Sequence, residues 1–190
     1  NTLKQFIAQV PDNIIVVIDE AYAEYAAGTS DFPDATLWLD EFPNLVVTRT
    51  FSKAYGLAGL RIGYGLSSVD VADLVNRIRQ PFNVNVAAQV AATAALADKE
   101  HLKKSVAVNT SGLKQLADGF ERIGLEYIPS IGNFICVKVG SNASDIYEGL
   151  LRNGIIVRPV DNYALPEFLR VTVGLEEQNQ RLLETLQKLI

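Results

Sequence analysis

An α/β fold is predicted for this 190-residue chain, with a parallel sheet first and a smaller α/β unit after it. Three features predict it. The run Ile14 to Ile18 is wholly apolar and β-branched and stops abruptly at Asp19-Glu20, as in a strand buried on both faces. Leu45 to Thr48 repeats the design and stops in the polar cluster Arg49-Thr50-Phe51-Ser52-Lys53. Near residues 105–125 the pattern changes to a strand, helix, strand, strand, helix order.

In order along the chain, residues 3–10 read as a short amphipathic helix closed by Pro11-Asp12-Asn13. Residues 25–36, rich in Gly, Ser, Asp and Pro, read as a loop, followed by a short helix to about Phe42. Arg61 to Leu66 supplies a third strand of the parallel sheet. Ser67 or Ser68 caps a helix in which Val71, Leu74, Val75 and Ile78 recur at helical spacing, and Pro81 ends it. The Ala-rich stretch Val86 to Ala97 reads as a buried helix. A longer amphipathic helix covers about 99–122, despite Gly112 and Gly119 in its interior. Beyond it come a strand over Asn133–Val139, a helix over 143–153 closed by Gly154, strands at Ile155–Val157 and Leu169–Val173, and a terminal amphipathic helix over 175–189.

Composition excludes several classes. With 48% hydrophobic and 21% charged residues the chain is globular, and its net charge of −5 carries no basic stripe for nucleic acid. The single cysteine, Cys136, admits no internal disulfide and reads as a small core hydrophobe. The single histidine, His101, reads as a solvated helix residue, so neither a His triad nor a metal site is expected. No run reaches the length of a membrane span and no signal peptide is evident. These absences point to the cytoplasm. The lack of any Met gives the chain the look of an excised or processed piece.

Chemistry concentrates at two strand ends. In an open α/β sheet, ligands gather outside the carboxyl ends of the strands. The first end offers Asp19 and Tyr22; the second offers Thr50, Ser52 and Lys53, with Arg61 eight residues past the lysine. If the two strands are neighbours, an acid, a phenol, two hydroxyls, an amine and a guanidinium converge on one crevice. An amine can condense with an aldehyde, a carboxylate can hold a pyridine nitrogen protonated, and hydroxyls with an arginine fork suit a phosphate. Taken singly, these residues have plainer readings: a solvated loop lysine, a capping aspartate, a structural arginine. Glu20 projects to the opposite face from Asp19 and is expected in an ion pair. The glycines at 56, 59, 63 and 65 fit no nucleotide-binding spacing and suit a tight turn and close packing.

The segments Val17-Ile18-Asp19-Glu20-Ala21-Tyr22 and Thr48 through Tyr64 resemble fold-type-I, class-II pyridoxal-phosphate-dependent aminotransferases. Within these they are most similar to the histidinol-phosphate aminotransferase family. Gly154-Ile155-Ile156-Val157-Arg158 and Leu169-Arg170-Val171-Thr172-Val173-Gly174 resemble that family's C-terminal domain, so the likeness spans essentially the whole chain. The resemblance implies an aspartate-aminotransferase-like fold. Residues 1–108 would be the C-terminal part of the cofactor-binding large domain and 109–190 the small domain. It implies Lys53 as the Schiff-base lysine and proton shuttle, Asp19 at the pyridine nitrogen and Tyr22 at the ring hydroxyl. Thr50, Ser52 and Arg61 would hold the cofactor phosphate, and Arg170 would bind the substrate anion. Arg158 would serve a substrate phosphate, with a surface or interface ion pair as its plainer alternative.

The implied reaction moves an amino group from glutamate to imidazole-acetol phosphate, in histidine biosynthesis, by a homodimer. Related scaffolds decarboxylate threonine phosphate or transaminate aromatic amino acids. A non-enzymatic reading, an inert folding fragment or an interaction module, predicts no labelling of Lys53. The family's glycine-containing phosphate loop, ring-stacking aromatic and ring-hydroxyl asparagine have no counterpart in these residues. The chain alone is therefore expected to be nearly inactive and to bind the cofactor weakly.

Overall fold

The computed structural model describes residues 2–29 and 32–190. It divides into two compact units, Asn1–Lys103 and Lys104–Ile190.

In the first unit, α1 (Thr2–Ile7) precedes β1 (Val16–Asp19), the single-turn α2 (Ala23–Ala26) and a 3₁₀ turn (Ala35–Trp38). Next come β2 (Leu45–Thr50), a 3₁₀ turn (Ala58–Leu60), β3 (Gly63–Ser67), α3 (Val69–Ile78) and α4 (Val86–Ala97). Residues 30 and 31 of the expected 25–36 loop lie outside the described residues. The sheet order is β1-β2-β3. β1 and β2 run parallel, with Asp19 beside Thr48, whereas β3 runs antiparallel to β2, with Gly63 opposite Thr50. The expected third parallel strand is therefore corrected. The link from Thr50 to Gly63 carries only one 3₁₀ turn, and a parallel return needs a crossover, usually a helix.

One side of this sheet is packed. Val16 and Ile18 of β1 and Leu45 and Val47 of β2 meet Ile7, Ala35 and Trp38 in a small core. The other side is open: Val17 is 59% exposed, so β1 is buried on one face and not on two as expected. α3 forms where its periodicity predicts, and the Ser68 hydroxyl accepts the Val71 amide as its cap. Its apolar stripe is nevertheless exposed, with Leu74 at 59% and Ile78 at 82%. The helix over Val86–Ala97 has the expected span, but only Ala88 and Ala92 are buried.

The division between the units falls within α5 (Lys99–Arg122). The second unit continues through β4 (Tyr127–Ile128), β5 (Phe134–Lys138), α6 (Ala143–Arg152), β6 (Arg158–Pro159), β7 (Phe168–Thr172) and α7 (Glu176–Leu189). Its antiparallel sheet has the order β4-β5-β7-β6. β4 was not anticipated, and the strand expected at Ile155–Val157 forms instead at Arg158–Pro159. One sheet face presents Ile135, Val137, Leu169 and Val171 to a core with Leu116, Phe120, Ile146, Leu150, Leu182, Leu183 and Leu186 of the helices. The glycines inside α5 permit that packing. A Cβ at Gly119 would stand 2.3 Å from Leu183 Cδ1, and one at Gly112 would stand 2.4 Å from Val173 Cγ1. Close approach here outweighs the helix-propensity cost of glycine. Buried Asn179 fastens the start of α7, accepting the Gly174 amide at 2.9 Å and donating to Gln115 Oε1 at 3.0 Å.

Candidate active site

The two strand ends bearing the expected chemistry are neighbours in the parallel pair β1-β2. Because successive side chains alternate faces, Asp19, Thr48 and Thr50 lie on the open face, and Glu20 and Arg49 lie on the packed one. Each strand closes in the same way on the open side. Asp19 Oδ1 accepts the Ala21 amide at 3.1 Å, and Thr50 Oγ1 accepts the Ser52 amide at 3.1 Å. Such local side-chain bonds turn the chain sharply and hold the side chain in one direction. The Thr48 hydroxyl also reaches Asp19 Oδ1 at 3.5 Å.

The loop after β2 is pinned from inside. Phe51 and Ala54 are buried, and Phe51 packs against Tyr55 and Tyr64 with ring centroids 5.1 and 5.7 Å away. The intervening Ser52 and Lys53 are half-buried. Lys53 Nζ lies 5.4 Å from the Tyr22 ring centroid, which brings the amine of one strand end to the phenol of the other. Arg61 donates from Nη1 to the Ala58 carbonyl at 2.8 Å and to Ser52 Oγ at 3.4 Å. Its φ of 53° is left-handed, a conformation that costs a non-glycine residue about 1–3 kcal/mol and gathers at functional sites. Opposite Thr50 and Thr48 stand Gly63 and Gly65, so β3 adds no side chain beside those hydroxyls.

The expected residues of the first unit meet in two groups, Tyr22 with Lys53 and Ser52 with both Thr50 and Arg61, while Asp19 bonds to Thr48, its neighbour across the strand pair. Asp19 is exposed, on the open face of the sheet. The remaining two, Arg158 and Arg170, belong to the second unit and stand directly across from each other in β6 and β7. Like charges so placed repel. Arg170 lies over the Phe134 ring, and its Nε is buried with no partner. Arg158 approaches the Tyr163 ring at 6.0 Å. The surface ion pair considered for Arg158 does not form among the described residues. Cys136 neighbours Arg170 in β5, half-buried on the face away from the core, so it is not the core hydrophobe expected. Burial pushes its thiol pKa up against the pull of Arg170.

Sequence reasoning missed the network behind the site. Arg49 Nε and Nη2 donate to Glu20 Oε2 at 2.9 and 2.7 Å, and Nη2 also reaches Asp34 Oδ1 at 2.9 Å. The Ala35 amide donates to Glu20 Oε1 at 2.9 Å. Burial opposes the charge on Arg49, but the hydrogen bond and charge of Glu20 outweigh it and raise its pKa. Burial likewise opposes the Asp34 charge, yet the bonds from Thr36 and Arg49 leave that carboxyl below its ordinary value. The expected ion pair of Glu20 was the only hint in the sequence; its partner lay in a cluster read as a single polar patch.

Among the described residues no carboxylate forms an ion pair with Lys53, Arg61, Arg158 or Arg170, and no cation pairs with Asp19. Within the first unit, Arg61 and the hydroxyls of Ser52 and Thr50 form a cationic, hydroxyl-bearing cluster in a chain of net charge −5.

The first unit is an α/β sheet with an amine and an acid at adjacent strand ends and hydroxyls and a guanidinium alongside the amine's loop. The family profile of aminotransferase class I and II matches residues 1–186, and the chain belongs to that family. It is 57% identical over 188 residues to histidinol-phosphate aminotransferase 2 of Pseudomonas fluorescens, covering 99% of this chain and 50% of that protein. It is 55% identical over 190 residues to histidinol-phosphate aminotransferase 2 of Pseudomonas aeruginosa, covering 100% and 51%. The crystal structure of histidinol-phosphate aminotransferase from Sinorhizobium meliloti in complex with pyridoxal-5'-phosphate is similar with a TM-score of 0.87 and 32% identity, over 98% of this chain and 52% of that one. The chain thus spans about half the length of the curated relatives it matches.

Proposed function

We propose that this chain is the lysine-bearing part of a pyridoxal-phosphate-dependent transaminase. Its reaction would move an amino group between glutamate and imidazole-acetol phosphate. The observation that carries the reading is the meeting of Lys53 and Tyr22 beside the paired strand ends of Asp19 and Thr50. Residues 1–108 would be the C-terminal part of the large cofactor-binding domain and 109–190 the small domain. A homodimer in the cytoplasm is part of the same reading.

The donor set fits the cofactor. Among the described residues Asp19 has no cation partner, so it would be available to a protonated ring nitrogen, and Tyr22 lies beside the Lys53 amine. Thr50, Ser52 and Arg61 combine hydroxyls and a fork, with no carboxylate paired to Arg61 among the described residues, which suits a phosphate. When bound, pyridoxal phosphate supplies an aldehyde for covalent attachment and an electron-withdrawing ring. Lys53 would attach the group and afterwards hold and return a proton at Nζ. The Tyr22 ring, 5.4 Å from Nζ at its centroid, limits where that amine can point. The Arg158–Arg170 pair would take the substrate anion, since a dianion relieves the repulsion between them.

Borohydride reduction of the chain in excess pyridoxal phosphate, followed by peptide mapping, tests the site. Label on Lys53 is expected; label spread over other lysines instead would overturn the assignment and favour the inert-fragment reading. Assay of the intact enzyme with glutamate and each keto acid, and separately for carbon dioxide release, tests the substrate against threonine-phosphate decarboxylation and aromatic transamination.

A further inference from the structure

We infer that Arg49 is a positioning residue, which holds Asp19 and Thr50 in register by clamping Glu20 on the reverse face of the sheet. This rests on the cofactor reading above for its purpose, not for its geometry. The two residues thought to face the cofactor have no direct tie to each other. Each sits next in sequence to one member of the ion pair: Asp19 to Glu20, and Thr50 to Arg49. On the open face the side chains of Asp19 and Thr50 each hold an amide two residues on. On the packed face Arg49 and Glu20 join the same strand ends by two hydrogen bonds. Glu20 is only 5% exposed, and Asp34 and the Ala35 amide anchor the pair to the 3₁₀ turn below. A guanidinium fork that meets one carboxylate through two nitrogens fixes direction as well as distance. Rotation of either strand end would have to break that fork, so it restrains both site side chains through their backbones.

The test uses the 190-residue chain with Arg49→Met, Arg49→Lys and, as a control in the same strand, Val47→Ala. Amide hydrogen exchange is read at Ala21 and Ser52, the donors to Asp19 and Thr50, relative to the buried amides of β2. Arg49→Met is expected to speed both about tenfold relative to the core. Arg49→Lys, which keeps the charge and loses the fork, is expected to fall between it and the unsubstituted chain. Val47→Ala is expected to speed all amides alike. Trapping at Lys53 with pyridoxal phosphate and borohydride, compared at equal folded fraction, is expected to drop several-fold in Arg49→Met and to hold in Val47→Ala. Exchange at Ala21 and Ser52 that follows the core in Arg49→Met overturns the clamp. So does an unchanged Lys53 yield in a variant whose two amides have loosened. Absence of Lys53 label in the unsubstituted chain counts against the cofactor reading alone, and the exchange arm then decides the clamp.

Discussion

Glu20 Oε2 and Arg49 Nη2 lie 2.7 Å apart on the packed side of β1 and β2, directly behind the strand ends that carry Asp19 and Thr50. The Glu20 side chain is 3% exposed and that of Arg49 is 20% exposed, so the carboxylate is buried and the guanidinium only partly solvated. Breaking such a pair from one side leaves a charge without compensation. Arg49→Met is therefore expected to destabilise the chain by about 2–4 kcal/mol, read from urea unfolding monitored by Trp38 fluorescence. Replacing both partners, Glu20→Gln with Arg49→Met, should cost less than Arg49→Met alone. A double variant less stable than the single one would refute this account of the pair.

Glu24 is expected to give the first unit a pH dependence. It shares one guanidinium with Glu20 and Asp34, which hold all the hydrogen bonds that Arg49 directs to carboxylates. Glu24 Oε2 is buried without a partner. Burial raises its pKa above the usual 4.5, and Glu20 adds to the rise, against a backbone hydrogen bond and Arg49. A raised folded-state pKa means that the stabilisation is complete below the unfolded value and is lost as pH climbs through the folded one. Stability should thus fall as pH rises through that window, and Glu24→Gln should flatten the fall. Equal pH profiles for the two proteins would count against the buried-carboxyl assignment.

The α5 glycines test the packing of the second unit. Gly119→Ala improves helix propensity by about 1 kcal/mol but drives a methyl into Leu183, which is itself buried. Overpacking of this kind costs about 1–3 kcal/mol. A net loss of thermal stability is expected for Gly119→Ala, and the further loss it causes should be smaller in a Leu183→Ala background. A Gly119→Ala chain that melts above the parent would show that α5 and α7 are looser than the structure has them.

The Arg158–Arg170 pair predicts an anion effect. Inorganic phosphate should raise the melting temperature of the chain more than chloride of equal ionic strength, because a bound dianion offsets the cross-strand repulsion. Arg170→Gln should remove most of the difference, and Arg158→Gln part of it. An identical phosphate effect in both variants would place the anion elsewhere.

Local chemistry was readable from the residues themselves. The α3 cap at Ser68, the limits of α5 at Lys99 and Arg122, and the endings of β1 and β2 at polar residues all follow from interactions within a few positions. So does the grouping of Lys53 with Thr50, Ser52 and Arg61, which share one loop and its flank. Tertiary structure decided the rest. Val17 and Ile78 read as core because an apolar side chain records only its preference for leaving water, not the surface that will cover it. β3 reads as a parallel neighbour because strand propensity carries no direction; the helix-free link from Thr50 to Gly63 sets it antiparallel. Arg49 found Glu20 across twenty-nine positions of chain, and Arg158 found Arg170 through a strand pairing that no local pattern specifies. Residue types and alternation assign a side chain to a face, but only the register between strands chooses which two charges meet on it.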